Sequence, residues 1–420
     1  MNSDGWLARL NAAQTKVMAD FPGDGGRRQP VHVVYGGAHL FTSATVKKLG
    51  TLAKAALDTY APDAAVLADA LRIERTVAER VYPRLVQKLT AEPVEDLRID
   101  FEDGFGHRSD AEEDAAATKA AAEFAKASAE GTLPAFRGIR IKPLTVELAP
   151  RALKTLKLFL EGCGTKELLV TLPKVVALEQ VRVLLAALDS LGATAARIEV
   201  MIEAPQSLAL LPSLREAARG RLFAVHFGAY DFTAGLDITA ADQRLRHPFC
   251  DVARAQMKLA FAGTDVFVSD GATTQFPVPI HRGASLNPEQ QRENRNAVHA
   301  AWKASADDIR HSLASGIYQG WDLHPAQLVA RYGTVFAFFL SSLDAATKRL
   351  KNFVDELGQA TLSGTSFDDA ATGQGLLNFF LRGLSCGALV ESDLAATGLT
   401  REELASRSFA VIARHRRHTA

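Results

Sequence analysis

The chain has 420 residues, of which 48 are basic and 48 acidic, and hydrophobic residues make up 47% of it. This composition is ordinary for a globular protein and excludes a disordered, fibrous or disulfide-stapled chain. The formal net charge of zero provides no field to attract nucleic acid or a membrane surface, so neither is an expected partner. Length alone allows two or three domains, or one barrel with additions.

The cysteines and the N-terminal segment bear on the cellular compartment. Cys163, Cys250 and Cys386 are far apart and lack metal-site or redox-motif spacing, so we predict buried free thiols in a reducing environment. Residues 1–20 lack the apolar core of a signal peptide, and no run of 18 apolar residues is present. We therefore expect a cytoplasmic protein without a membrane span.

Short apolar segments recur along the chain, each with the length of a buried parallel strand. The predicted strands are 31–35, 97–101, 138–141, 168–172, 198–202, 222–227, 265–268 and 320–323. Helical sequence joins each strand to the next, for example 110–130 after the capping-box pair Ser109 and Glu112, 206–219 after Pro205, and 289–315 after Pro288. The pattern predicts an α/β fold, a (β/α)8 TIM barrel; an α/β sheet that does not close is the alternative.

Two regions lie outside the strand–helix repeat. The first crossover has room for two helices, 43–59 and 63–90, and forms an N-terminal insertion. We predict a barrel domain over residues 1–340 and a helical C-terminal extension over 341–420. The extension has helices at 343–357 and 373–389, a capped helix at 400–403, a loop at 362–366 and a solvated basic tail at 414–418.

Active sites of such barrels lie at the carboxyl ends of the strands. The side chains there are polar or charged: His39, Glu102, Asp103, Arg140, Lys142, Lys174, Glu203, Asp231, Asp270 and His324. A barrel without a functional site needs no such collection on one rim.

Glu203 and Asp231 follow consecutive strands and should lie side by side. Carboxylates without thiols or paired histidines suit a hard cation such as Mg2+, or Mn2+, which takes one or two carboxylates and keeps positions for substrate oxygens. A structural ion pair with a nearby Lys or Arg is the alternative, and the rim placement favours the metal.

Arg140 lies near the end of the third strand, and alternation places Arg140 and Lys142 on the same side. An inward arginine at a barrel mouth recognises a carboxylate or phosphate through two hydrogen bonds. A salt bridge to Glu102 or Asp103 on the adjacent strand end is compatible with that role.

Six short motifs occur in order: Asp100-Phe101-Glu102-Asp103, Arg140, Leu172-Pro173-Lys174, Met201-Ile202-Glu203, Phe227-Gly228-Ala229-Tyr230-Asp231 and Leu323-His324-Pro325. In these motifs the chain resembles the HpcH/HpaI aldolase and citrate lyase beta-subunit family of the phosphoenolpyruvate/pyruvate-binding TIM-barrel superfamily. The resemblance covers about residues 30 to 330.

The resemblance implies a role for each matching residue. Glu203 and Asp231 match the Mg2+ ligands, and Arg140 matches the arginine that holds the substrate carboxylate or acyl carbonyl. The acidic pair Glu102 and Asp103 positions that arginine and the metal waters. Lys174 and His324 match supporting positions at the rim. The implied activity is a carbon–carbon lyase or aldolase that acts through an enolate of a 2-oxo acid or acyl thioester. A trimer or hexamer is the implied assembly.

The chain departs from the family at both ends of the barrel. The opening loop, residues 35–39, lacks the family's proline-containing turn. We name His39 as the candidate general base because imidazole transfers protons near neutral pH; a loop histidine hydrogen-bonded to the backbone is the alternative. The extension lacks the family's C-terminal acid motif, Asp368 and Asp369 being the loop carboxylates available for comparison. Coenzyme A thioester is therefore a possible substrate rather than a firm expectation.

Two other functions stay open at this point. Arg140, Lys142 and Lys174 would also suit a phosphate, which gives a phosphoenolpyruvate-handling enzyme with phosphoryl-transfer or mutase chemistry. A non-catalytic barrel that binds a small acid is the third hypothesis. The apolar side chains of the extension pack either on a neighbouring subunit or on the chain's own barrel; they are Phe379, Phe380, Leu381 and Leu384.

Overall fold

Eight parallel strands form a closed barrel in a computed structural model that describes residues 3–23, 26–283, 285–355, 361–363, 366–368, 370–406 and 412. The strands are β1 (His32–Gly37), β2 (Asp96–Asp100), β3 (Phe136–Arg140), β4 (Leu169–Leu172), β5 (Arg197–Ile202), β6 (Leu222–Phe227), β7 (Phe267–Ala272) and β8 (Gln319–Asp322). Each strand pairs with the next, and β8 pairs back onto β1, with Val33 opposite Trp321. The predicted α/β barrel is confirmed, and the sheet is closed.

The helices surround the strands and continue beyond them. They are α1 (Ser3–Asp20), α2 (Thr45–Tyr60), α3 (Ala64–Leu71), α4 (Arg75–Ala91), α5 (Asp110–Ala129), α6 (Ala149–Gly162), α7 (Leu178–Ser190), α8 (Leu211–Ala217), α9 (Ala229–Ala234), α10 (Pro248–Phe261), α11 (Pro288–Ala314), α12 (Gln327–Asp355), α13 (Ala370–Ser385), α14 (Glu391–Ala395) and α15 (Arg401–Ala405). The predicted helix 206–219 is instead a 3-10 turn, Pro205–Leu210, followed by the short α8.

The barrel interior is filled by layers of side chains, from an apolar layer at the bottom to a charged rim. Phe223 packs on Phe136 and Phe267 at the amino ends of the strands. Above them, the fully buried Arg98 binds the carboxylates of Asp96 and Glu199. This arrangement makes the interior a packed core and leaves the carboxyl ends of the strands for a binding site.

The enlarged first crossover contains three helices where two were predicted. The predicted helix 63–90 is divided into α3 and α4 because Arg72 adopts a left-handed backbone conformation with φ of +53° after the end of α3. Asp63 caps α3 by accepting a hydrogen bond from the backbone N–H of Val66.

The long helix α12 joins the barrel to the C-terminal extension. It runs without interruption across residue 340, where we place the domain boundary. Among the described residues it is the one helix long and apolar enough to span a membrane by length and composition, and 72% of its most apolar window is buried in the fold. Such burial is typical of a core helix and makes this weak evidence for a membrane span.

The extension packs on the chain's own barrel helices. Phe380 is fully buried, and the ring of Phe379 lies 5.2 Å from that of Phe339 on α12. The predicted loop at 362–366 contains the ends of two short antiparallel strands, β9 (Thr361–Ser363) and β10 (Ser366–Asp368). Asp369 and the basic tail at 414–418 lie outside the described residues.

Candidate functional site

Arg140 lies at the carboxyl end of β3 and is held by an acid at the end of β2. The strand register places Asp100 directly opposite Arg140. Asp100 accepts two hydrogen bonds from the guanidinium, at 2.7 Å from Nε and 2.6 Å from Nη2. It also accepts from the backbone N–H groups of Glu102 and Gly104. Because both groups of this ion pair are buried and joined by two hydrogen bonds, the orientation of Arg140 is fixed before any ligand binds.

The remaining surface of the Arg140 guanidinium is enclosed by rings and by a second carboxylate. Its central carbon lies 4.8 Å from the Tyr35 ring centre and 5.4 Å from that of Trp321. Nη1 lies 2.8 Å from Oε2 of Glu102 and 3.6 Å from a carboxylate oxygen of Asp103. The predicted ion pairs with the acidic pair are therefore present, and they face the open side of the barrel.

Lys174 connects the acids of several strand ends. Its ammonium donates a hydrogen bond to Oε1 of Glu102 at 2.7 Å and lies 3.6 Å from Asp231. Burial alone would lower the pKa of Lys174, but the surrounding carboxylates outweigh that effect and raise it. Lys174 also has a left-handed backbone with φ of +50°, which aims its N–H at Oε1 of Glu203 at 2.6 Å. A non-glycine residue in this conformation beside a pocket is typical of a functional site.

Glu203 and Asp231 line one pocket of about 160 Å3, together with Arg140 and Asp103. Glu203 is buried, whereas the Asp231 side chain is 49% exposed. Burial raises the pKa of Glu203 to about 7, the nearby charges of Glu102 and Asp231 add to this, and Lys174 partly offsets it. A Cβ on residue 228 would lie 2.7 Å from Oε2 of Glu203, so Gly228 is required for the close approach of backbone and carboxylate.

The donor set of this pocket fits a hard divalent cation that is completed by water and substrate. Glu203 and Asp231 supply oxygen ligands, whereas Oε2 of Glu102 is already paired with Nη1 of Arg140 at 2.8 Å. No group of three His, Cys, Asp or Glu side chains in the described part of the chain is arranged as a full metal cage. Mg2+ commonly takes only one or two carboxylates, so the pair suits it.

His39, His324 and Lys142 are not among the residues that line this pocket. His39 lies in a 3-10 turn with its ring 5.6 Å from that of Phe105, and burial, together with Arg108 and Lys119, lowers its pKa. Because His39 does not line the pocket, its role as general base remains a prediction.

His324 borders a second, mainly apolar cavity of about 310 Å3, which has Leu323 in common with the first pocket. Its ring stacks on that of Phe276, and burial lowers its pKa. The supporting role of His324 is likewise still a prediction.

The expectation that Lys142 points the same way as Arg140 is wrong. Its ammonium donates to the backbone carbonyl of Phe101 and lies 3.1 Å from Glu113 on α5, outside the barrel. The strand ends at Arg140, so the two-residue alternation does not extend to Lys142.

Sequence reasoning missed Asp100 and the two rings around Arg140. Asp100 belongs to the same acidic motif as Glu102 and Asp103, but the motif alone assigns the positioning of the arginine to those two acids. The register of β2 against β3 is the signal that could have identified it, because Asp100 and Arg140 are Cα partners. Tyr35 and Trp321 come from the first and last strands and become neighbours only when the barrel closes.

Fold and site together define a (β/α)8 barrel with a buried arginine and an oxygen-rich pocket at the carboxyl rim. The chain belongs to the family DUF6986, described as a domain of unknown function, whose model matches residues 10–412. A comparison with curated proteins gives no significant match.

Solved structures share this fold. A citrate lyase from Burkholderia xenovorans LB400 aligns with a TM-score of 0.59 and 19% identity, covering 88% of this chain and 97% of that one. CitE from Mycobacterium tuberculosis, in complex with magnesium, acetoacetate and coenzyme A, aligns with a TM-score of 0.51 and 16% identity, covering 86% and 99%. The expected resemblance to the citrate lyase beta-subunit family is confirmed at the level of the fold.

Proposed function

We propose that this protein is a Mg2+-dependent carbon–carbon bond lyase that acts through an enolate of a 2-oxo acid or an acyl thioester. The observation that carries the proposal is the fixed Arg140 guanidinium, which lines the same small pocket as the carboxylates of Glu203 and Asp231. A cation and an arginine that share one pocket can bind two oxygens of one small acid.

The chain's own residues supply orientation and charge. Arg140 is aimed by Asp100 and presents positive charge to a substrate carboxylate or carbonyl, where it stabilises negative charge that develops on oxygen. Lys174 and Glu102 share a 2.7 Å hydrogen bond, and each also lies close to a residue that lines the pocket, Lys174 to Asp231 and Glu102 to Arg140. When bound by Glu203 and Asp231, Mg2+ would add Lewis-acid stabilisation of an enolate oxygen. Burial of Arg140 and Glu203 strengthens each of these interactions.

The choice of substrate class is supported by the solved barrels of the same fold. CitE from Mycobacterium tuberculosis has been solved in complex with magnesium, acetoacetate and coenzyme A. A pocket of about 160 Å3 accommodates the oxo-acid portion of such a ligand. Coenzyme A thioester is part of the proposal as an acyl donor or product.

The positions of the cationic side chains argue against the phosphoenolpyruvate alternative. Lys142 lies outside the barrel against Glu113, and Lys174 is paired with Glu102. Arg140 is the one of these three cations that would face a phosphate there, and three carboxylates line the same pocket. A dianion therefore meets less positive charge here than the sequence suggested.

Calorimetric titration of the full-length protein with Mg2+, with and without pyruvate or oxaloacetate, tests the proposal. We expect Glu203→Gln and Asp231→Asn to weaken Mg2+ binding at least tenfold, about 1.4 kcal/mol, and to abolish turnover of oxo acids or acyl thioesters. Glu179→Gln, an exposed carboxylate on α7, is the matched control and should bind as the native protein does. Unchanged Mg2+ affinity in both site variants contradicts the proposal. Ligand binding without turnover would instead establish the non-catalytic barrel.

A further inference from the structure

Helix α1 stands out by the exposure of its side chains from residue 5 onwards. Every residue from 5 to 22 is exposed. Large apolar side chains are among them, with exposed fractions of 51% to 74%: Trp6, Leu7, Leu10, Val17, Met18 and Phe21. An isolated helix of 18 residues is marginal in water, so a helix like this one gains its stability by packing.

The apolar residues of α1 follow the spacing of helix-to-helix packing. Trp6, Leu10, Ala13 and Val17 are separated by four, three and four residues, which places them on one face. The charged residues of the helix are Asp4, Arg9, Lys16 and Asp20, so its net charge is zero. An interfacial membrane helix would instead have a strongly basic polar face. The pattern favours a protein surface.

Helix α10 has a second exposed apolar stripe. Phe249, Val252 and Leu259 are 53%, 50% and 78% exposed, while Ala253 and Met257 on the other face are buried against the barrel. The stripe spans ten residue steps and that of α1 spans eleven, so each is about 16 Å long at 1.5 Å per residue. The two stripes match in length and in apolar character.

The two helices are joined at one corner of the molecule. The chain leaves α1 at Phe21, which lies against Gly263 just after α10, and the N–H of Gly23 donates to the carbonyl of Gly263 at 2.7 Å. The segment that follows α1 is thus fixed next to the end of α10, but α1 does not cover the α10 stripe of its own chain. Each stripe is therefore available to a second copy.

We propose that α1 is a dimerisation arm that covers the α10 stripe of a second copy of this chain. A twofold axis makes the contact reciprocal, since the arm of each copy packs on α10 of the other. The two helices, with Phe21 directly after α1, offer nine large exposed apolar side chains per copy. A standard interface removes about 800 Å2 from each partner, and nine such side chains carry accessible area of that order.

Sedimentation velocity of the full-length protein over a range of concentrations tests this reciprocal contact. The native chain is expected at twice its mass of 45.2 kDa or an even multiple of it. Leu10→Glu on the arm and Val252→Lys on the stripe should each weaken association at least tenfold and leave the folded structure intact by circular dichroism. Val146→Glu, at a loop residue that is 91% exposed, is the control and should associate as the native chain does.

Mixing the Leu10→Glu and Val252→Lys variants tests whether α1 of one copy packs on α10 of the other. In a mixed dimer one contact keeps Leu10 against the native stripe, and the other brings Glu close to Lys, so association should recover. No recovery, association that neither variant changes, or a native chain that is monomeric at all concentrations overturns the proposal. Flotation of a monomeric native chain with anionic phospholipid vesicles would overturn it as well and assign α1 to a membrane surface.

Discussion

At the residue scale, the decisive feature of the site is the pairing of Arg140 with Asp100. Three acids lie near this arginine, but they differ in burial and geometry. Asp100 is buried and makes both directed hydrogen bonds, whereas the Asp103 side chain is 63% exposed and lies 3.6 Å away. Removal of one partner from a buried pair leaves an uncompensated charge, while an exposed pair contributes little.

The first prediction follows from that difference. Asp100→Asn is expected to reduce the free energy of unfolding by about 3 kcal/mol, because the buried Arg140 loses the charged partner of both its directed hydrogen bonds and keeps only Glu102 close by. Asp103→Asn, the matched control, should change it by less than about 0.5 kcal/mol. Urea denaturation measures both values. Equal small effects would mean that Asp100 does not hold the arginine.

The cysteines allow a second prediction at this scale. All three are free and buried, as the sequence indicates, and burial raises the pKa of Cys163, that of Cys250 to about 11 and that of Cys386 to about 12. Because the thiolate is the reactive form, the folded protein should not react with an aromatic disulfide reagent at about pH 8, and three thiols should react after unfolding.

The sign of the pH effect follows from the same shifts. The folded pKa of each thiol is above the ordinary value of 9.0, so the folded state prefers the neutral thiol. Stability is therefore fully present below about pH 9 and falls as the pH rises from there towards 11. Rapid native-state labelling below pH 9 would contradict this account.

At the scale of elements, hydrophobic periodicity and capping residues predicted most of the structure. The Ser109–Glu112 capping box is present, Asn287 and Pro288 open α11, and Thr400 caps α15. The errors have different causes. The break at Arg72 and the 3-10 turn Pro205–Leu210 depend on backbone conformations that no glycine in the sequence marks. In α1 the apolar residues are mixed with charged ones, which obscures their helical spacing.

At the scale of the whole molecule, barrel and extension share one hydrophobic core. Helix α12 packs against α4, α11 and α13, and Leu350 and Phe353, beyond residue 340, are buried. The division at residue 340 is still a prediction about independent units. One continuous helix with buried side chains on both sides of that point favours a single cooperative transition.

Leu350→Ala tests that cooperativity. The truncation of a fully buried leucine should lower the free energy of unfolding by about 2–5 kcal/mol, in one transition that includes the barrel. Lys351→Ala, the exposed neighbour, should have an effect near zero. Calorimetry with tryptophan fluorescence, which reports the barrel through the buried Trp302, measures both. A separate early transition in Leu350→Ala with an unchanged barrel transition would show that the extension unfolds independently.

The sequence by itself predicted an α/β barrel, the buried thiols and the placement of charged residues directly after the strands, and the structure settled that the sheet closes. These properties depend on local periodicity and on chain order, which can be read along a single strand or helix. Only the tertiary structure decided that Asp100 holds Arg140, that Lys142 lies outside the barrel, and that neither His39 nor His324 lines the pocket with Glu203 and Asp231. Such pairings depend on strand register and on where each strand ends. A shift of one residue reverses the direction of a side chain without changing the composition or period of the segment.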